Sequence, residues 1–101
     1  MFTFEDVAMI DDKGIQMLLR QVNTKELSLA LKTATNGLKE KIFRNISQRA
    51  AQLLKDDMEV KSPVKLSDVE EAQLKIVKIA RELEEEGKLI INRGSEEAVF
   101  V

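Results

Sequence analysis

The chain has 101 residues, of which 44% are hydrophobic and 34% are charged. This length and balance are typical of one globular domain and argue against an intrinsically disordered chain. The formal net charge of −2 argues against the broad positive surface that nucleic-acid backbones require. Cys, His, Trp and Tyr do not occur, so the common nucleophiles, general bases and soft metal ligands are missing. We therefore expect neither an enzyme nor a cofactor or metal site.

The apolar runs are short, and none approaches the ~20 residues that a membrane-spanning helix requires. The N-terminus has no basic region ahead of an apolar one, which argues against a secretion signal. We therefore expect a cytosolic protein without direct membrane insertion.

The N-terminal part of the sequence predicts short helices, each opened by a capping residue. Thr3 with Asp6 resembles a capping arrangement for a first helix that ends near Ile10. Asp11 and Asn23 can cap a second and a third helix, because their side chains can accept hydrogen bonds from the free N–H groups of the first turn. Apolar residues at helical spacing predict the core of these two helices: Ile15, Leu18, Leu19, Val22, Leu27, Ala30, Leu31 and Ala34.

Two further helices follow a break in the pattern at residues 36–37, which are Asn and Gly. The fourth helix is defined by Leu38, Ile42, Phe43 and Ile46. Ser47 is placed to cap the fifth helix, which has a broad polar face. The apolar side predicted for this fifth helix contains Ile46, Ala50, Leu53 and Leu54.

Pro63 marks the clearest linker, because proline lacks a backbone donor and disfavours helix at the residue before it. The loop around it should expose Lys61 and Lys65. Residues 67–70 have the pattern of a capping box that opens the longest helix, which should continue to Gly87. The predicted core positions of this helix are Val69, Ala72, Ile76, Ile79, Ala80 and Leu83.

The C-terminal residues 88–101 predict a tail, because apolar segments at 89–91 and 98–101 flank a turn-rich stretch that allows a hairpin. The expected fold class is all-α. It is a compact bundle of about six short helices with one longer C-terminal helix and a short extended tail or hairpin.

Several charges occupy unfavourable places. Asp56 and Asp57 fall near the C-terminal end of the fifth helix, where the helix dipole disfavours an acid. Arg49 precedes Asp56 by seven residues, so both point to nearly the same side about 10 Å apart. The simpler interpretation makes Asp57 a member of a structural ion pair and Asp56 an ordinary solvated charge. The acidic run at 84–86 is interpreted as a solvated helix end, because consecutive helical residues diverge and do not share an ion.

Several segments together match one known family. They are Met1-Phe2-Thr3-Phe4, Leu31-Lys32, residues 44–51, residues 54–58, residues 63–67 and Val69-Glu70. On these segments the whole chain resembles the C-terminal domain of the bacterial flagellar motor switch protein FliG. The resemblance implies a rotor component at the cytoplasmic face of the inner membrane, in the C ring of the flagellar basal body. It also implies torque generation against the stator protein MotA and a part in switching the direction of rotation.

The resemblance further implies which residues meet the cytoplasmic loop of MotA. The positive ones correspond to Lys32, Arg49 and Lys65, and the negative ones to Asp56 and Asp57; we call these five residues the charged ridge. Lys65 departs from the arginine often found in the family, which keeps the charge but loses bidentate geometry.

The N-terminal Met-Phe-X-Phe pattern resembles the hinge motif of the same family, with Met1, Phe2 and Phe4 in its fixed positions. The implied domain plan is this motif, then residues 5–66 with the charged ridge, the long helix at 67–87 and the tail. Other rotor subunits, both FliG copies and FliM, are further implied partners. We expect the upstream domains of the family to be absent from this chain.

An alternative from another class is a winged-helix nucleic-acid-binding domain, because a capped helix precedes the possible hairpin. The charge argues against it. Residues 67–87 contain seven acidic and three basic side chains, the wrong sign for a helix near phosphates.

Overall fold

The computed structural model describes residues 2–59 and 63–91. They form α-helices and two short 3-10 helices, which confirms the predicted all-α class. The elements in chain order are a first 3-10 helix Phe4–Met9, α1 Asp12–Arg20, α2 Thr24–Ala30, a second 3-10 helix Leu31–Thr33, α3 Asn36–Arg44, α4 Gln48–Glu59 and α5 Leu66–Glu85. None of the helices in these two stretches is long and apolar enough to span a bilayer.

Three predicted helix starts are confirmed by hydrogen bonds, whereas the break predicted at residues 36–37 is wrong, because both lie in the first turn of α3, which Thr35 caps. Asp11 and Asn23 accept from backbone N–H groups three residues ahead, at 2.9 and 2.8 Å, and Ser47 does the same at 3.1 Å. The N–H of Thr3 donates to Oδ2 of Asp6 at 2.8 Å, as the capping pattern predicts, although the helix that follows is a 3-10 helix. Each of these polar residues therefore fixes where an element begins.

The start of α5 differs from the prediction. The helix begins at Leu66 rather than after Ser67, and no side chain caps it. The reason is that Lys65 (φ −76°, ψ 136°) already has the backbone conformation of a residue that precedes a helix. Its carbonyl accepts from the N–H groups of Asp68 at 3.0 Å and Val69 at 3.2 Å. Ser67 thus lies inside the first turn, and the predicted capping box is wrong.

The end of α5 is where the sequence predicts it. Gly87 has a φ of +74°, which glycine adopts without a steric penalty. The N–H of Lys88 donates to the carbonyl of Leu83 and that of Gly87 to the carbonyl of Glu84, both at 2.9 Å. This pair of hydrogen bonds is a Schellman motif, which satisfies carbonyls that the helix end leaves free.

The core forms where α5 packs on α1, on α2 and on the first 3-10 helix. α5 contributes the face that its helical spacing predicts, except that Ile79 is only half-buried. The residues buried on this face are Val69, Ala72, Ile76, Ala80 and Leu83. α4 packs on the other elements through α2, and Leu54 is its one buried residue among those described.

One predicted core position on α4 is wrong. Leu53 is 54% exposed, because it lies four residues after Arg49 and three before Asp56, on their side of the helix. Ala50 is half-buried, and Ile46 precedes α4 and is half-buried against the core cluster.

The chain after α5 returns to the N-terminal part of the fold. Leu89 and Ile91 are buried, and Ile91 forms an isolated antiparallel β-bridge with Ile10. The predicted hairpin spans residues 89–101, of which residues 92–101 lie outside the described part of the chain, so its pairing stays a prediction.

Candidate partner-binding surface

α4 carries two members of the charged ridge on its solvent side. Arg49 and Asp56 are both exposed. Their separation of seven residues places them about 10 Å apart along the helix axis and within about 20° of the same direction. Because α4 is a continuous helix capped by Ser47, the backbone fixes the spacing of the two Cα atoms from which these opposite charges extend.

The acidic end of α4 forms no ion pair with any base that the structure describes. Asp56 accepts a hydrogen bond from Nε2 of Gln52 at 2.9 Å, and Asp57 is half-buried. Within residues 2–59 and 63–91, neither carboxylate lies within salt-bridge distance of a lysine or an arginine. The structural ion pair considered for Asp57 is therefore not formed with any described residue. The last turn, which also contains Glu59, holds no basic residue.

Lys32 lies in the second 3-10 helix and is half-buried. Gln73 of α5 holds this segment in place, since its Nε2 donates to the carbonyl of Ala30 and to Oγ1 of Thr33, both at 2.8 Å. Lys65, at the start of α5, is exposed as predicted, and Lys61, predicted to be exposed with it, lies outside the described residues. Lys32 and Lys65 are therefore both positioned by α5. Gln73 of α5 holds the segment that contains Lys32, and Lys65 directly precedes the helix.

The contacts between α2 and α5 show that the two helices run antiparallel. Nζ of Lys75 lies 3.6 Å from Oε1 of Glu26, whereas Gln73, two residues earlier on α5, reaches Ala30, four residues later on α2. The chain after Ala30, which includes Lys32, therefore lies toward the N-terminal end of α5, where Lys65 stands.

The hinge-like motif is partly built into the core. Phe4 is only 6% exposed, Phe2 is half-buried against the core cluster, and Met1 lies outside the described residues. A cleft of about 240 Å³ lies between this segment and part of α5. Its lining residues are Phe2, Thr3, Phe4, Glu70, Gln73, Leu74 and Val77.

The first 3-10 helix, which begins at Phe4 of the hinge-like motif, is hydrogen-bonded to α3 and to Thr35, the residue that caps α3. The Glu5 carboxylate accepts from Oγ1 of Thr35 at 2.7 Å and from its N–H at 3.3 Å. Nζ of Lys41 donates to the carbonyl of Ala8 at 2.6 Å. A rotation about the motif that kept these contacts would therefore have to occur at or before Thr3.

A polar cluster that the sequence analysis missed joins α1 to the end of α3. Oδ1 of Asp12 accepts from Nδ2 of Asn45 at 3.0 Å and from Nη2 of Arg44 at 3.2 Å. Asn45 in turn accepts from Nε2 of Gln16 at 3.1 Å. The hydrogen bonds from Asn45 and then Arg44 hold the pKa of the Asp12 carboxyl below its usual value. No sequence signal points to this cluster, because its partners are about 30 residues apart.

Among the residues that the structure describes, no group of three or more acidic, histidine or cysteine side chains is placed to hold a metal ion. The side chains at 84–86 end α5 and form no such group.

Comparisons with known proteins identify the family to which this sequence and fold are similar. The sequence profile of the family described as FliG C-terminal domain matches residues 1–91. The flagellar motor switch protein FliG of Thermotoga maritima is 55% identical over 101 residues, which cover all of this chain. A crystal structure of FliG from H. pylori superposes with a TM-score of 0.84 at 43% identity, over 88% of this chain and 42% of that one. Full-length FliG from Aquifex aeolicus gives 0.82 at 42% identity, over 86% and 27%.

The extent of the match is as informative as its strength. The chain spans 30% of the length of the Thermotoga maritima relative. The similarity therefore concerns one domain of a longer kind of protein.

Proposed function

This chain belongs to the FliG C-terminal domain family, and we propose that it acts in the flagellar rotor. In this proposal the charged ridge meets the cytoplasmic loop of the stator protein MotA and receives the force that turns the rotor. The observation that carries the proposal is the pair Arg49 and Asp56, exposed on one side of α4 about 10 Å apart. Neither has an ion-pair partner among the described residues. Opposite charges that a rigid helix keeps apart remain available to a partner.

Ion pairs between the charged ridge and the MotA loop would be weak enough to form and break repeatedly as the rotor turns. An exposed ion pair contributes roughly 0–1 kcal/mol, so several pairs can orient a stator loop without holding it. Charges of both signs also favour one register of the loop over others, because a shifted register brings like charges together.

Roles in switching and in rotor assembly are inferred from the family relationship. The hinge-like motif at Met1, Phe2 and Phe4 would let the domain reorient when rotation reverses, with Phe4 anchored in the core. Other FliG copies and FliM would be the neighbouring rotor subunits, at the cytoplasmic face of the inner membrane in the C ring. These assignments rest on the family relationship.

The family relationship argues against the winged-helix alternative. The charge of α5 agrees, since residues 67–87 hold seven acidic and three basic side chains. A salt-titrated DNA-binding assay tests this alternative directly, and we expect no binding at physiological salt.

Charge reversal tests the main proposal. Arg49→Glu and Asp56→Lys, each introduced into the full-length rotor protein, should reduce the torque of tethered cells without abolishing it. A complementary reversal in the MotA loop should restore some of it. Lys25→Glu is the matched control, because Lys25 is exposed on α2 and lies outside the charged ridge. Normal torque after neutralisation of all five ridge residues would refute the proposal.

A further inference from the structure

The solvent side of α4 is not purely ionic. Leu53 is 54% exposed and lies between Arg49 and Asp56 in the helical row i, i+4, i+7. A single exposed leucine is ordinary on a protein surface and needs no explanation. Leu53, however, lies between two opposite charges that have no ion-pair partner in the described structure, and this position needs an explanation.

The same association occurs a second time at Lys65. Its two chain neighbours, Val64 and Leu66, are 47% and 62% exposed. Three of the six large hydrophobic residues exposed in the described structure therefore adjoin charges of the ridge. The six are Met9, Leu53, Val64, Leu66, Leu74 and Ile90.

We propose that Leu53 is an apolar contact residue of the charged ridge and binds the same partner segment as the charges around it. This inference rests on the proposed function and adds a requirement on the partner. Its binding segment presents an apolar side chain to Leu53, an acidic side chain toward Arg49 and a basic one toward Asp56. Charge complementarity fixes the order of these groups, because the opposite order would place like charges together.

The two kinds of contact act over different ranges. Charges attract across about 10 Å at low ionic strength and guide the partner toward the helix. An apolar contact acts only when the surfaces touch, since its free energy comes from removing apolar area from water. Leu53 would thus determine the seated position of the segment, and its contribution would persist when salt screens the charges.

Binding measured at two salt concentrations separates these contributions. The isotope-labelled chain is titrated with a synthetic peptide of the MotA cytoplasmic loop from the same organism, and affinity is read from chemical-shift changes. Leu53→Ala should weaken binding about three- to tenfold at both low salt and about 0.5 M salt. Arg49→Ala should weaken binding at low salt, with a difference from the parent that fades at high salt.

Two controls accompany the titration. Leu74→Ala removes a leucine that is exposed to a similar degree on α5, outside the charged ridge, and should bind as the parent does. Thermal unfolding should show that Leu53→Ala folds normally, because alanine has the higher helix propensity and the lost side chain is exposed.

Each result bears on a separate claim. If Leu53→Ala binds like the parent at both salt concentrations while Arg49→Ala binds more weakly, the role of Leu53 is refuted and the proposed function stands. If none of the substitutions changes binding of the peptide, the proposed function itself fails. If Leu53→Ala alters self-association in sedimentation instead of peptide affinity, Leu53 belongs to a contact between copies of this chain and the inference is overturned.

Discussion

Nη2 of Arg44 lies 3.2 Å from Oδ1 of Asp12, and this ion pair joins the end of α3 to the start of α1. Asn45 donates to the same oxygen, and together these contacts lower the pKa of the Asp12 carboxyl in the folded chain. A carboxyl with a lowered folded pKa contributes stability above its unfolded pKa and loses that contribution as the pH falls through the folded pKa.

The substitution Asp12→Asn tests this contact through its pH dependence. The parent should be more stable than Asp12→Asn at pH 7, and the difference should shrink as the pH falls below about 4. Urea unfolding at several pH values measures it. Glu71→Gln is the control, since Glu71 is exposed on α5 and forms no ion pair with a described residue. A difference that stays constant down to pH 2 would mean that the Asp12 charge does not stabilise the fold.

Gly14 is required by close packing, not by backbone conformation. A Cβ at Gly14 would lie 2.5 Å from Cγ2 of Ile10 and 3.0 Å from Cβ of Leu89. Gly14→Ala should therefore lower the free energy of unfolding by about 1–3 kcal/mol, the usual cost of overpacking. Gly37→Ala is the matched control, because a Cβ at Gly37 meets nothing within 4 Å. This control should raise stability by up to about 1 kcal/mol, since alanine favours the helix. Equal effects in denaturant unfolding would contradict the packing argument.

Two serines near helix starts should respond differently to the same substitution. Ser47→Ala removes the oxygen that accepts from the N–H of Ala50 and should cost about 0.5–2 kcal/mol of stability. Ser67→Ala should change stability by less than about 0.5 kcal/mol, because Ser67 lies inside the first turn of α5 and caps nothing. Chemical denaturation of both variants provides the comparison. A large loss for Ser67→Ala would restore the capping box that the sequence predicts.

The helices could be predicted because their signals are local. Asp11, Asn23 and Ser47 each act on an N–H three residues ahead, and Gly87 ends α5 through its own backbone conformation. The sequence misplaces the start of α5 because Ser67 has a side chain suited to capping, whereas Lys65, two residues earlier, precedes the helix without a capping hydrogen bond.

The surface was harder to predict for a physical reason. Helical periodicity gives the direction of a side chain but not which neighbour covers that direction, so it places Leu53 in the core although this side chain is 54% exposed. Asp12 and Gln73 were missed because their partners lie 32 to 43 residues away in the sequence. The roles of the charged ridge came from the family resemblance, since spacing alone shows only that Arg49 and Asp56 share a side.

Asp56 lies in the last turn of α4, where the helix dipole disfavours a negative charge, and Glu59 shares this disadvantage. Asp56→Lys and Glu59→Lys should therefore each raise stability by about 0.3–1 kcal/mol, with the gain at Asp56 reduced by the lost hydrogen bond from Gln52. Only Asp56 belongs to the charged ridge. Torque should consequently fall in Asp56→Lys and stay normal in Glu59→Lys, although both variants are more stable than the parent.

This pair of variants separates function from folding, because the expected loss of torque accompanies a gain in stability. Denaturant unfolding of the chain and the rotation speed of tethered cells under load provide the two measurements. If both variants rotate normally, Asp56 is only a tolerated surface charge. If both lose torque equally, the negative charge of the whole helix end matters to the motor, and the assignment to Asp56 in particular is wrong.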